Sequence, residues 1–398
     1  MIGIINNTEM QNRIYLDYAA TTPTHPDVIT EMIPYFNSQF GNPSSIYSYG
    51  QESKQAIEDA RKKVAGLVSA SEDEIVFTSG GTESDNMALK GITSIGSSKK
   101  NHIITSSIEH HAVIETCRFL ERAGFVVTYL PVDAYGMVDP DDIRRSITDK
   151  TVLISIMHAN NEIGTIEPIA EISQIAREYE ILFHTDAVQT AGHIPLNVDK
   201  LGVDLLSISA HKFYGPKGIG GLYVRKGTKI ASFVHGGEQE KGRRASTENV
   251  PGIVGMGKAA EIARGVLQAE AELQSNLRDR LINGLLSSID HSQLNGHPDN
   301  RLPNNVNITF DYVEGESIVL SLDMEGICAS TGSACSSASL EPSHVLLALG
   351  LSHEQSHGSC RFSLGKWTRV EDIDRVIDVM PEIIVRLRKM SPLFTGSK

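Results

Sequence analysis

Short apolar runs alternate with segments of helical pattern between residues 74 and 225. The apolar runs are rich in β-branched and large residues, which predicts strands at 74–79, 102–107, 126–132, 151–157, 181–186, 204–209 and 220–225. The intervening segments, such as 83–95, 111–123, 139–147 and 168–179, have the pattern of helices. This alternation predicts a mainly parallel sheet that is covered by helices on both faces.

The pattern changes after residue 250. A long helical stretch over 251–288 is followed by a predicted strand (302–310), a helix (315–326), another strand (359–364) and a last helix (371–389). This order predicts a smaller α+β domain beside the sheet. We therefore expect an α/β fold, with a large domain over 16–262 and a small domain formed by 1–15 and 263–398.

Composition and charge exclude several classes of partner. The chain of 398 residues has a formal net charge of −13 at pH 7, which argues against nucleic acid because a phosphate backbone requires a basic surface. No basic segment with a following apolar run begins the chain, and no stretch approaches the roughly 18 apolar residues of a membrane helix. We expect no membrane partner. The four cysteines form neither a CxxC pair nor a zinc pattern, which favours a reduced, cytoplasmic location and no metal: Cys117, Cys328, Cys335 and Cys360.

The ends of the predicted strands carry the candidate chemistry, because ligands bind beyond the carboxyl ends of such strands. The stretch "TSGGTESDN" (78–86) follows a strand and opens a helix, and Gly80 and Gly81 would allow close approach to an anion at the helix N-terminus. An ordinary turn with Thr82 as the N-cap is the alternative.

Three further strand ends carry Asp186, Lys212 and His110. Taken singly, such residues are more often a turn aspartate, a surface lysine and a hydrogen-bonded structural histidine. Taken together with the anion site, however, the carboxylate and the lysine form the set that pyridoxal phosphate requires. The anion site would bind the phosphate of this cofactor, and the acid would pair with its ring nitrogen. The lysine would form a Schiff base with its aldehyde.

One thiol lies in an unusual context. Cys335 is part of "STGSACSS" (330–337), where no bulky neighbour would bury it. Free cysteine usually behaves as a small buried hydrophobic residue. A thiol on a Gly/Ser segment is therefore placed to be reached or to move.

These motifs, in their order, resemble those of the cysteine desulfurases, the NifS/IscS-type branch of the fold-type I pyridoxal-phosphate enzymes. The resemblance also rests on "YLDYAATTPTHPDV" (15–28), "GNPSSIYSYG" (41–50), "MHANNEIGTIEPI" (157–169), "HTDAVQTAG", "SAHKFYGPKGIGGLYVR", "RRASTENV" (243–250) and "HGSCRFSLG" (357–365). It covers nearly the whole chain, and the long cysteine segment is similar to that of the group I enzymes. The implied fold is a fold-type I PLP-transferase, with a large cofactor-binding domain and a small domain that carries the cysteine.

The resemblance implies three catalytic residues. Lys212 would be the Schiff-base lysine and would move the α-proton of the substrate, and His110 would stack on the cofactor ring and shuttle protons at the substrate sulfur. Cys335 would be the nucleophile that receives the sulfur as a persulfide. The implied reaction is L-cysteine desulfuration, which gives L-alanine and a persulfide for acceptors such as an iron–sulfur cluster scaffold.

The resemblance also implies the binding residues. The cofactor would be bound by Gly81, Thr82, His110, Asn161, Asp186, Gln189, Ser209, His211, Lys212 and Thr247. Thr247 matches a phosphate contact that the partner subunit supplies, which implies a homodimer. The substrate would be bound by Asn161 and Arg361, because a planar fork suits a carboxylate.

Other functions stay open at this point. The alternatives are a selenocysteine lyase, another pyridoxal-phosphate-dependent lyase, or an inactive regulator of a sulfur pathway. Two positions also depart from the family pattern. Ser246 stands where glycine is usual, so the local backbone could be strained. Cys360 stands where an aliphatic residue is usual, and we expect it to be a packed core thiol, as we do for Cys117 and Cys328.

Overall fold

The computed structural model describes residues 13–95, 100–331, 341–392 and 394. The predicted nucleophile, Cys335, lies outside the described residues. The helices and strands are β1 (Ile14–Tyr15), α1 (Pro26–Met32), α2 (Pro34–Asn37), α3 (Ser48–Val68), β2 (Ile75–Thr78), α4 (Gly81–Ile95), β3 (His102–Ser106), α5 (His111–Arg122), β4 (Val126–Leu130), α6 (Pro140–Ser146), β5 (Thr151–Ser155), α7 (Ile169–Glu178), β6 (Leu182–Asp186), α8 (Val198–Leu201), β7 (Leu205–Ser209), β8 (Gly220–Val224), α9 (Val250–Ser288), β9 (Ser292–Leu294), β10 (Asn305–Phe310), α10 (Gly315–Met324), β11 (Ile327–Cys328), α11 (His344–Ala348), α12 (His353–His357), β12 (Ser359–Ser363) and α13 (Val370–Met390).

A seven-stranded sheet in the order β2-β8-β7-β6-β5-β3-β4 confirms the predicted α/β architecture. Strands β3 to β7 pair in parallel, whereas β8 runs antiparallel to both β2 and β7. The chain between β7 and β8 is too short for a parallel crossover, which needs a dozen or more residues. The reversal of β8 therefore follows from the length of its connection.

The two faces of this sheet are covered by different helices. Ile104, Ile154 and Leu206 belong to one apolar cluster, which includes residues of α3, α7 and α9. Their neighbours Ile103 and Leu153 belong to a second cluster, with residues of α4 and α5. Because successive strand residues point to opposite faces, the sheet is buried on both sides, as its continuous apolar runs predict.

A third cluster lies around the antiparallel sheet β12-β10-β9 and helix α13. The long helix α9 connects the two regions, because Ala260 packs in the first cluster and Leu281 in the third. The proposed boundary between 262 and 263 lies inside this continuous helix and stays a prediction. Strand β1 pairs with β11 in parallel. Within the described ranges, no helix is long and apolar enough to cross a membrane.

Candidate active site

A cavity of about 360 Å³ lies at the carboxyl ends of the central strands. It brings together all but two of the predicted site residues, namely Gly81, Thr82, His110, Asn161, Asp186, Gln189, Ser209, His211, Lys212 and Arg361. The exceptions are Thr247, which lines a different cavity, and Cys335, which lies outside the described part of the chain. Residues that are far apart in the sequence thus share one concave site.

The N-terminus of α4 forms one end of this site. The helix begins at Gly81, so Thr82 lies in its first turn and is not the N-cap that the alternative interpretation required. A Cβ on Gly81 would lie 2.7 Å from Cγ2 of Val188, so the turn leaves no room for a side chain. The hydroxyls of Thr82 and Ser209 line an adjoining cavity of about 370 Å³. Unpaired helix N–H groups and hydroxyls form a donor set that suits a phosphate.

Lys212 follows β7 and lines the cavity, so it is not a surface lysine. Its Nζ donates hydrogen bonds to the carbonyl oxygens of Ala19 and Ala20, at 2.5 and 2.8 Å. These contacts hold the amine beside the N-terminal segment. Gln189 donates to the same Ala19 oxygen at 3.1 Å.

Asp186 is the last residue of β6 and lies buried in the cavity wall. Its Oδ1 accepts from the backbone N–H of Val188 at 2.8 Å, so the turn role expected of a lone aspartate coexists with a place in the site. Burial raises the pKa of Asp186 to about 6, although the Val188 N–H and Lys212 favour its charged form. A cationic group in the cavity would stabilise this carboxylate.

Asp85 is a site residue that the sequence analysis missed. Its carboxyl is almost fully buried in the cavity wall, and its Oδ1 has no hydrogen-bond partner among the described residues. Side-chain atoms of Asp85, His110 and Asp186 lie within 4.8 Å of one another. Burial and the nearby Asp186 raise the pKa of Asp85 well above its ordinary value. Two buried carboxyls this close do not both ionise readily, so we expect Asp85, whose pKa is raised by Asp186 as well as by burial, to be the partner that holds the proton.

A sequence signal for Asp85 existed. The residue stands at the head of an apolar stripe on α4 that continues with Ala88, Leu89 and Ile92. This spacing of three, four and seven residues marks one face of a helix. An acid on that face is necessarily buried against the sheet, and buried acids are candidates for functional sites.

His110 is the N-cap of α5. Its Nδ1 accepts from the backbone N–H of Ala112 at 3.1 Å. Burial, with smaller effects of Lys212, His111 and His344, lowers the pKa of His110 to about 4. The ring is therefore neutral at neutral pH, and since Nδ1 accepts, Nε2 carries the proton. His211, whose pKa burial also lowers to about 4, contacts Oγ1 of Thr21 through Nδ1 at 3.1 Å.

Arg361 lines the main cavity but not the adjoining cavity beside the N-terminus of α4, so it marks a second end of the site. It lies buried in β12, where Nη2 donates to Oδ1 of Asp17 at 2.9 Å and Nη1 donates to the carbonyl oxygen of Asn161 at 3.0 Å. Its Nε–H has no hydrogen-bond partner among the described residues. A buried charged donor without a partner is costly. A carboxylate bound in the cavity would satisfy it.

The two departures from the family pattern have different outcomes. Ser246 has a φ of 96°, a conformation that favours glycine, so this loop carries the strain that the sequence suggested. Thr247 beside it is exposed. Cys360 is fully buried in the third cluster and burial raises its pKa, as expected for a packed thiol. Cys117 is also buried, whereas Cys328 is only half-buried.

Comparisons with known proteins agree with this geometry. Residues 14–376 match the aminotransferase class-V family. The cysteine desulfurase IscS of Dictyoglomus turgidum is 60% identical over 383 residues, 96% of this chain and 97% of the relative. The enzyme of the same name from Methanosarcina thermophila is 60% identical over 388 residues, 97% and 96% of the two chains.

Solved structures give the same result. A NifS-like protein superposes with a TM-score of 0.89 at 40% identity, over 94% of this chain and all (100%) of that protein. SspA in complex with cysteine superposes with a TM-score of 0.80 at 39% identity, over 88% and 98% of the two chains. The chain therefore belongs to the aminotransferase class-V family and, within it, to the cysteine desulfurases of the NifS/IscS type.

Proposed function

We propose that this chain is a pyridoxal-phosphate-dependent L-cysteine desulfurase. It would convert L-cysteine to L-alanine and transfer the sulfur to Cys335 as a persulfide. The observation that carries the proposal is the single cavity that joins Lys212, Asp186 and the N-terminus of α4 to the buried Arg361. One end suits the cofactor, and the other has a free donor for the carboxylate of an amino acid.

The residues of the cavity fit pyridoxal phosphate. Its phosphate would be held by the N-terminus of α4 and the side chains of Thr82, Ser209 and His211, with close approach at Gly81. Asp186 would pair with the ring nitrogen, because its buried carboxylate needs a cation. Lys212 would bind the aldehyde, Gln189 the phenolic oxygen, and His110 would lie against the ring beside Asn161. When bound, this cofactor supplies an electron sink for bonds to the α-carbon of an amino acid.

The side chains of the protein would do the remaining chemistry. Arg361 binds the substrate carboxylate through its unpaired Nε–H, beside Asn161. Lys212 is held next to the cavity by Ala19 and Ala20 and moves the α-proton. Neutral His110 exchanges a proton with the substrate sulfur at Nε2, since Nδ1 is occupied by Ala112.

The thiolate of Cys335 would attack the substrate sulfur. An S–S bond forms, the C–S bond breaks with its electron pair on carbon, and protonation of that carbon gives alanine. The reaction consumes no external oxidant or reductant up to the persulfide. A thiol or an acceptor protein must then remove the outer sulfur.

Partners follow from the same proposal. The relatives named IscS support an iron–sulfur cluster scaffold as the acceptor of the persulfide. The exposed Thr247, outside the main cavity of this chain, supports a homodimer in which it contacts the phosphate of the partner site. The three described cysteines are unpaired, which supports a reducing, cytoplasmic setting.

The decisive experiment measures alanine and sulfide formed from L-cysteine and a thiol reductant, with the wild type and Cys335→Ala side by side. Equal amounts of alanine and sulfide from the wild type, and neither from the variant, would support desulfuration through Cys335. Normal sulfide from the variant would refute the nucleophile. No alanine from a wild type that binds the cofactor would refute the substrate, and the same assay with selenocysteine would then test the selenocysteine lyase alternative.

A further inference from the structure

We infer that Glu162 is a positioning residue, which fixes the downstream end of the segment carrying Cys335 to the substrate-carboxylate end of the cavity. The inference rests on the proposed function and adds a residue to it. The segment leaves the described part of the chain after Thr331 and re-enters it at Glu341. Described contacts on both sides of this gap carry the argument.

The downstream contact is a short hydrogen bond between two buried side chains. The hydroxyl of Ser343 lies 2.5 Å from Oε2 of Glu162. The same hydroxyl oxygen accepts from the backbone N–H groups of Val345 and Leu346, and so caps α11. A hydroxyl has one proton, and here both backbone contacts use its lone pairs, so that proton is donated to Glu162. Glu162 is therefore the acceptor of this bond through Oε2.

The backbone of Glu162 is rigidly held. Its N–H donates to Oδ1 of Asn160 at 2.8 Å. Its carbonyl oxygen accepts from Nδ2 of Asn305 at 3.2 Å and of Asn307 at 3.1 Å. These buried contacts join it to β10, next to the strand that carries Arg361. The hydrogen bond to Glu162 therefore connects Ser343 to a part of the chain that is itself held in place by buried hydrogen bonds.

The upstream end of the cysteine segment is attached to the same small sheet, at β12. Ser330 pairs with Arg361 through two backbone hydrogen bonds, of 3.1 and 2.6 Å. The guanidinium of Arg361 donates to the carbonyl of Asn161, the neighbour of Glu162 in the chain. A continuous set of contacts therefore runs from Ser330 through Arg361 and Asn161 to Glu162 and Ser343. The backbone of Arg361 thus holds the upstream end, and Glu162, next to the Asn161 carbonyl that the guanidinium contacts, holds the downstream end.

The charge on Glu162 is costly to the fold. Burial raises its pKa to about 7, although Ser343 and Arg361 favour the charged form. A carboxyl whose pKa is higher in the fold than in the unfolded chain reduces stability as the pH rises past its unfolded value. A neutral residue of similar shape would fold at least as well at pH 8. The inference therefore rests on the hydrogen bond to Ser343, which a neutral acceptor of the same shape could also form, and not on the charge.

The test compares Glu162→Met, which removes the acceptor, with Glu162→Gln, which keeps a neutral one. We expect kcat for L-cysteine to fall about tenfold to a hundredfold in Glu162→Met, because misplaced reacting groups cost that much, while KM changes less than about threefold. Hydrogen exchange in 341–349 should become faster, since Ser343 loses its tether. Glu162→Gln should recover most of both properties.

Glu167→Met is the matched control. Glu167 is also buried, with a pKa raised by burial to about 8, but its carboxylate accepts from the backbone N–H of Val138 and not from Ser343. It should leave kcat and exchange in 341–349 unchanged. The inference is overturned if Glu162→Met leaves that exchange unchanged, or if kcat falls only together with thermal stability and to the same extent in the control. Exchange is measured without turnover, so it tests the anchor even if the wild type forms no alanine.

Discussion

The two ends of the cavity are built in different ways. The end that would hold the cofactor comes from three strand ends of one sheet, at Thr78, Asp186 and Ser209. The end that would hold the substrate joins residues that are 344 positions apart at Asp17 and Arg361, and 181 apart at Glu162 and Ser343. The strand ends of the first end follow from sheet topology, although the N-terminal segment also packs there against Lys212. The second end comes from the packing of separate regions of the chain.

The largest expected effect tests the cofactor end. Lys212→Ala should reduce desulfuration by at least about a thousandfold, because it removes both the covalent attachment and the proton carrier. The purified variant should also lose the visible absorption band of bound pyridoxal phosphate. Alanine formation and the absorption spectrum are the two measurements.

Lys200→Ala provides the control, since that lysine is exposed on α8. It should keep both properties. If Lys212→Ala turned over L-cysteine at the rate of this control, the cofactor end would be assigned wrongly.

The next effect tests the substrate end. Arg361→Lys keeps a positive charge but loses the Nε–H donor and the planar fork. We expect KM for L-cysteine to rise about tenfold to a hundredfold, the value of one or two charge-assisted hydrogen bonds, while the cofactor stays bound. Steady-state kinetics and the cofactor spectrum check both halves of this expectation.

Arg388→Lys is a suitable control. Arg388 also donates to backbone carbonyl oxygens, those of Asp311 and His291, but lies on α13 outside the cavity. Its KM should be that of the wild type. Loss of the cofactor from Arg361→Lys would contradict this prediction, because it would show that cofactor binding also depends on Arg361.

The third prediction concerns which of Asp85 and Asp186 holds a proton in the folded protein. The pKa of Asp85 is raised in the fold, so its ionisation opposes folding and the wild type loses stability as the pH rises above the unfolded value. Asp85→Asn mimics the protonated acid. Its stability relative to the wild type should therefore be higher at pH 8 than at pH 5.

Urea unfolding of the cofactor-free proteins at both pH values measures this difference. Asp141→Asn is the control, because Asp141 is exposed at the start of α6. A stability difference that is the same at pH 5 and pH 8 would show that Asp85 does not hold the extra proton.

The comparison of the two ends also shows what the sequence could predict. Strand-end residues such as Asp186 and Lys212 could be found from the pattern, because parallel strands place their carboxyl ends at one edge. Arg361 and Asn161 came only from the resemblance, since no local pattern predicts that β12 brings Arg361 to the carbonyl oxygen of Asn161. Glu162 could not be predicted because its role arises from a contact with Ser343, 181 positions away. Asp85 could be predicted only from its place on the apolar face of α4. The reversal of β8 was missed because apolar runs carry no direction.

The smallest expected effect concerns the loop before Thr247, which would serve the cofactor end of the partner subunit. Ser246 has a φ of 96°, which costs a residue with a side chain about 1 kcal/mol relative to glycine. Ser246→Gly should therefore stabilise the protein by about that amount, seen as a higher midpoint of thermal unfolding. Ser38→Gly should have the opposite effect, because Ser38 has an ordinary φ of −99°, so glycine there relieves no strain. It adds entropy to the unfolded chain and loses the hydrogen bond from the Ser38 hydroxyl to the carbonyl oxygen of Pro34. If Ser246→Gly bound the cofactor more weakly despite its greater stability, the strained serine would hold Thr247 in the orientation that the phosphate needs. If stability and cofactor affinity rose together, the backbone strain at Ser246 would destabilise the fold without contributing to cofactor binding.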